Sequence, residues 1–164
     1  MKRLACILLG ALLTGATAAY AGPKVAVFPF ELIDASLEGQ YGPAHAEEAA
    51  RLRLATEELR KELAGKAGYE VLDLGPMAAE IERSTPLYKC DGCALDLARR
   101  SGAELAVTGS VLKVSNLLLT FHIYVTDTSN GKLNKLWHVE VRGNTEDSWL
   151  RGVRRLVRDG IVGG

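Results

Sequence analysis

The chain has 164 residues, 48% of them hydrophobic, with 20 lysines and arginines balanced by 20 aspartates and glutamates. That length suits one domain able to bury roughly two-thirds of its unfolded surface. The charge balance excludes the basic footprint of a nucleic-acid or anionic-membrane binder.

The first stretch reads as an address. Lys2 and Arg3 precede an apolar run from Leu4 to Leu13, and Ala19-Tyr20-Ala21 has the small-x-small pattern of a cleavage site. The apolar core is short and gives way to Thr14, Gly15 and Thr17, which favours cleavage over an uncleaved anchor. The expectation is a cleaved signal peptide over residues 1–21, a single α/β domain over 22–164, a periplasmic location and no membrane span in the mature chain. Cys6 sits inside the apolar run, too early to be a lipidated residue. Removing Lys2 and Arg3 leaves 18 basic against 20 acidic residues, a net charge of −2. Removing Cys6 leaves Cys90 and Cys93 as the only cysteines, each the other's only partner within one chain.

The mature chain opens on Lys24 to Phe30, a continuous apolar run expected to be an inner strand with Pro29 near its exit. A loop is expected from about Glu31 to Pro43, long for a strand-to-helix connection. From Ala44 to about Leu63, Leu52, Ala55, Leu59 and Leu63 form the stripe of the principal helix, with Glu47–Arg51 and Glu57–Lys61 as i,i+4 pairs. Gly65 and Gly68 end it. Tyr69 to Leu74 reads as a strand, and Pro76 begins a short helix through Ile81.

A second short helix follows Cys90, with Asp91 as expected N-cap, Arg99 and Arg100 in the last turn and Gly102 as the left-handed stop. It runs straight into Leu105-Ala106-Val107, the pattern of an inner strand continuing through Val114. Leu117 to Thr126 and Leu133 to Val141 then alternate at period two, with Leu119, Phe121, Ile123 and Val125 on one apolar side and Leu133, Trp137, Val139 and Val141 on the other strand's. Keeping both apolar sides together requires odd residues to oppose odd ones, which favours a three-residue loop with Gly131 left-handed and sets His122 opposite His138. Thr145 is the expected N-cap of a last helix to about Val162, burying Trp149, Val153, Leu156 and Val157.

Helical crossovers join the first three strands and hairpins add the last two. The expected fold is therefore an α/β domain of two or three layers on a mixed five-stranded sheet, parallel then antiparallel, with a C-terminal helix. That order, with Val25 to Phe30, Ala98 to Ala103 before Leu105 to Ser110, and Val125 to Gly131 at the hairpin, resembles the TolB amino-terminal and CsgG-type domain group. More narrowly, Cys90-Asp91-Gly92-Cys93, Lys113-Val114-Ser115-Asn116 and Arg142-Gly143-Asn144-Thr145 resemble a family of small exported bacterial proteins carrying a domain of unknown function. The broader resemblance implies envelope work through protein contacts, without catalysis.

Candidate chemistry is sparse. Cys90 and Cys93 lie three apart at a helix start, within disulfide reach. They read as a structural bridge or, alternatively, as a redox pair whose thiol pKa a helix N-terminus would lower. Ala94 stands where covalent haem would need histidine. A metal site would need His45, His122 or His138 to converge on the thiolates, and all three are distant in sequence. The long first loop, leaving the carboxyl end of an inner strand, supplies Glu31, Asp34, Glu38 and Tyr41 as the candidate ligand-binding residues. No glycine-rich phosphate loop or catalytic triad is apparent. The expected function is that of a non-enzymatic periplasmic accessory protein, without cofactor or metal, that binds a protein partner or ligand. A thiol-disulfide or metal-handling protein using Cys90 and Cys93 is the alternative.

Overall fold

The computed structural model describes residues 22–42 and 46–163. The leader read over residues 1–21, and His45, lie outside them.

Strand β1 (Lys24–Val27) lies inside a mixed sheet, parallel to β3 (Glu70–Val71) on one side and to β4 (Leu105–Ser115) on the other. Beyond β4 come β5 (Leu118–Asp127) and β6 (Leu133–Arg142), both antiparallel. The α/β expectation, parallel first and antiparallel last, is met. One segment is additional: β2 (Glu31–Asp34) pairs in parallel with the distal half of β4, in line with β1. The first half of the expected loop is thus strand.

The join between β1 and β2 is a bulge. From Val27 to Glu31 the chain advances four residues while β4 advances three, from Val107 to Ser110. The extra residue inverts the alternation. Val25 and Val27 face the larger core, and so do Leu32 and Asp34, which pair with Val111 and Lys113. Two groups on helix α2 (Ala46–Gly65), one turn apart, satisfy the backbone freed by the bulge. Phe30 N donates to Thr56 Oγ1 at 2.9 Å, and Arg60 Nη2 donates to the Val27 carbonyl at 3.1 Å. Pro29, with no N–H to lose, sits between them.

The larger core fills one face of the sheet from end to end. Ala55, Leu59 and Leu63 of α2 and Trp149, Val153 and Leu156 of helix α5 (Glu146–Leu156) close over Val107, Val111, Phe121 and Ile123. Phe30, Phe121 and Trp149 stack edge to face, with centroids 6.0 and 5.2 Å apart. Such pairs add about 0.5–1.5 kcal/mol beyond burial. The ring of Phe30 lies so close to the backbone of Gly109 that a Cβ there would meet it at 2.4 Å. The smaller core, on the opposite face, joins Ala26, Phe28 and Ala106 to Ile81 of α3 (Ala78–Ser84) and Leu97 and Ala98 of α4 (Cys93–Arg100). It covers β3, β1 and the start of β4 only.

Several local expectations shift. Cys93 begins α4 and Gly92, at φ +79°, takes the N-cap place expected of Asp91. The expected strand at Tyr69–Leu74 is ordered into the ladder only at Glu70–Val71. Glu57 pairs with Arg60 rather than Lys61, because Arg60 is drawn inward to Val27. His122 opposes His138, as the odd-to-odd register requires. The loop is longer than three residues, however: Asp127 N donates to the Lys132 carbonyl across Thr128–Gly131, and a bulge after Val125 restores the parity. On β6, Leu133 and Trp137 remain substantially exposed whereas Val139 and Val141 are buried. Leu133 pairs with Thr126 beyond the bulge and so falls on the side away from α5, and Trp137 lies against Gly160 of the last helix but is left partly open at the sheet edge. The last helix has the expected Thr145 cap, reinforced by a reciprocal bond with Ser148, and widens to π geometry at Val157–Val162.

Candidate functional site

Lys113 is the most unusual side chain of the domain, charged and fully buried. It lies in the apolar phase of β4, after Val107 and Val111, at the end of the sheet where the β4–β5 turn and the end of β6 come together. Its ammonium donates to Glu48 Oε1 at 2.6 Å and lies 3.3 Å from Asp34 Oδ2 and 3.5 Å from Glu38 Oε2. Each carboxylate comes from a different element. Asp34 ends β2, Glu38 lies in the single turn of α1 (Leu37–Tyr41), which Ser36 caps, and buried Glu48 opens α2.

Two asparagines extend the cluster. Asn144 Nδ2 donates to Glu48 Oε1 at 3.0 Å and to Asn116 Oδ1 at 3.1 Å, while Asn116 Nδ2 donates to Glu38 at 2.8 Å. Asn144 Oδ1 accepts from Trp149 Nε1 at 2.8 Å, tying the cluster to the aromatic core. The two sequence fragments Lys113–Asn116 and Arg142–Thr145 therefore meet in one network, because the β5–β6 pairing sets Leu118 beside Arg142. A cavity of about 560 Å³ opens beside them, lined by Glu38, Glu47, Glu48, Arg51, Asn116 and Asn144.

Charge state follows from the geometry. Burial pulls the Lys113 ammonium down, but Glu48 and Asp34 outweigh it and raise its pKa above the usual lysine range. Burial pushes the Asp34 carboxyl up, yet the bonds from Ser36 Oγ and N, and the Lys113 ammonium, hold it below the usual carboxylate range. A lysine held protonated is no nucleophile, and a carboxylate held ionised is a weak base. The cluster locks four segments together at one end of the sheet.

Of the residues singled out in the first loop, Asp34 and Glu38 converge on Lys113. Glu31 lies elsewhere, its carboxylate accepting from Leu87 N at 2.5 Å and Tyr88 N at 3.1 Å, which fixes the turn leading to Cys90. Tyr41 projects into solvent. Cys90 and Cys93 are bonded to each other, with Cα atoms 5.6 Å apart, at the start of α4. Among the described residues no group of three or more His, Cys, Asp and Glu is disposed to hold a metal ion. Lys113 and Glu48 were missed as partners of the loop acids. The available signal was a lysine in the apolar phase of a strand.

A second feature is a surface. On the side opposite α2 and α5, no helix among the described residues covers the β5–β6 half of the sheet, and His122, Tyr124, Leu136 and His138 lie together there. The His122 and Tyr124 rings stack at 6.4 Å, and the two imidazoles lie 5.9 Å apart. Burial, then the neighbouring His138, lowers the pKa of His122.

This arrangement is that of a single-domain α/β protein, and solved structures share the fold. The LpoB C-terminal domain from Salmonella enterica matches at 19% identity and a TM-score of 0.52, over 77% of this chain and 87% of that one. The PelC dodecamer from Paraburkholderia phytofirmans matches at 15% identity and 0.51, over 84% and 86%. The LpoB C-terminal domain from Escherichia coli matches at 19% identity and 0.50, over 80% and 90%. No curated protein matches the sequence. The chain belongs to the family DUF3280, described as "Protein of unknown function (DUF2380)", whose model matches residues 23–161.

Proposed function

We propose that this protein is a non-enzymatic accessory factor of the periplasm, exported by residues 1–21, that works by binding a protein partner on the open β5–β6 face. The observation carrying this reading is the asymmetry of cover. Among the described residues, one face of the sheet is closed along its length, whereas the other leaves an aromatic and imidazole-bearing surface unpartnered beyond the smaller core. The polar cluster at Lys113 supports it from the other side, since its charges are spent on one another rather than poised for a substrate. The resemblance to TolB amino-terminal and CsgG-type domains is consistent with envelope work through protein contacts. No helix among the described residues is long and apolar enough to cross a membrane. Cys90 and Cys93 serve as a staple on this reading.

The test is site-specific photo-crosslinking in cells expressing the full chain with its own leader. Probes at Tyr124 and Leu136 should yield a discrete adduct, a probe at exposed Arg53 on α2 should not, and the periplasmic protein should begin at Gly22. Adducts of equal yield from all three positions, no adduct from either open-face position, or retention of the leader in the cytoplasm would sink the reading.

A further inference from the structure

A cavity of about 670 Å³ opens at the carboxyl ends of β1 and β3, away from both the Lys113 cluster and the open sheet face. Its position follows from the topology. The chain returns from β1 to β3 through α2 on the larger-core face, but leaves β3 through α3 on the smaller-core face. Neighbouring strands whose following helices part to opposite faces leave a crevice beyond their carboxyl ends, the usual ligand position in open α/β sheets. The volume lies in the range of small-molecule sites.

The lining has two kinds of chemistry. Pro29, Leu74 and Ile81 make an apolar floor, and Glu57, Asp73 and Glu82 stand at the rim with Arg60. Arg60 is already committed, with one nitrogen 2.6 Å from Glu57 and another donating to the bulge carbonyl of Val27. That leaves Asp73 and Glu82 without an ion pair among the described residues. Asp73 accepts only from Gly75 N, at 2.8 Å. Among the described residues of the lining, an anionic ligand would meet two uncompensated carboxylates and no free cation. A ligand with an apolar body and one positive end would bury the first on the floor and neutralise the second at the rim.

We infer that this crevice is a binding site for a small amphiphilic organic cation, a primary amine on a short apolar chain, independent of the surface proposed above for a protein partner. The experiment is a titration of the mature protein, followed by amide chemical shifts, with n-hexylammonium, with hexanoate and with tetramethylammonium. Hexylammonium should give saturable shifts confined to the lining, Glu57, Arg60 and residues 71–75 and 78–85. Hexanoate and tetramethylammonium should give none there, the first lacking the charge and the second the apolar chain. Replacing both carboxylates, Asp73→Asn with Glu82→Gln, should weaken hexylammonium about fivefold, the scale of two partly exposed ion pairs, while leaving the unfolding midpoint in place. Asn retains the acceptor for Gly75 N. Filling the crevice with Ala78→Phe should abolish the shifts. Equal binding of hexanoate, scattered hexylammonium shifts, or undiminished binding in both variants would overturn the assignment. None of these results bears on the photo-crosslinking outcome.

Discussion

The two halves of the sheet share one face and differ in the other. Around β3, β1 and the start of β4 both faces are packed, by α2 on one side and by α3 and α4 on the other, and β1 and the start of β4 are nearly continuous apolar runs. Around β5 and β6 only one face is packed, and the sequence alternates. The same backbone geometry thus carries two sequence grammars, decided by how many sides are dry. Where cover is complete, side chains report stability. Where it is absent, they are free to report recognition.

The largest effect should come from the face the halves share. Lys113→Met would leave Glu48 and Asp34 buried without their cation, and breaking a buried pair in this way costs about 4 kcal/mol. The urea midpoint should fall accordingly, and combining it with Glu48→Leu should recover part of the loss. Next come the two opposite-face positions that set the halves apart. Phe28→Ala, in the doubly covered half, should cost about 3 kcal/mol as a large-to-small core change, against under about 1 kcal/mol for Tyr124→Ala on the open half. Comparable losses at the two sites would break the contrast. Removing the disulfide with Cys90→Ser and Cys93→Ser should cost about 2 kcal/mol, because the closed loop is so short, and should leave crosslinking from Tyr124 unchanged.

The smallest expected effect is a pH slope that separates the halves. His122 has a folded pKa below its ordinary value, so its neutral form contributes stability above about pH 6.5, lost as pH falls through the folded value. Asp34, also depressed, contributes above about pH 4 and is lost only at lower pH, through its own folded value. Lys113 is raised, so its contribution holds below about pH 10 and disappears as pH climbs through the folded value. Urea midpoints at pH 7.5 and 5.5 should therefore drop for the parent and hold level for His122→Gln. An unchanged drop in that variant would place the titrating group elsewhere.

Much of the fold was legible because periodicity is local. Alternation in Leu118–Asp127 and Leu133–Arg142 was enough to fix the register down to His122 opposite His138. The bulge was not legible. Pro29 reads as a strand's end, and the strand resumes only because Thr56 and Arg60, far along the chain, take up the amide and carbonyl that the bulge releases. Asp34 and Glu38 were recognisable as candidate acids, but what they meet is a lysine almost 80 residues on, in the apolar phase of β4. Leu133 and Trp137 failed for the converse reason. The bulge after Val125 sets Leu133 beside Thr126, off the side its alternation implied, and Trp137, though it lies against Gly160, keeps one flank in solvent because β6 is the edge of the sheet.

The single extra residue between β1 and β2 gives this segment one step to spare. Deleting any one of Phe28, Pro29 or Phe30 would leave three steps on this strand against the three from Val107 to Ser110, so the pairing would run through without a bulge and still set Leu32 beside Val111 and Asp34 beside Lys113. A second deletion would have no bulge left to absorb it and would turn Leu32 and Asp34 away from the larger core. Among variants of this chain, the stretch between Val27 and Asp34 should therefore tolerate the loss of one residue but not of two.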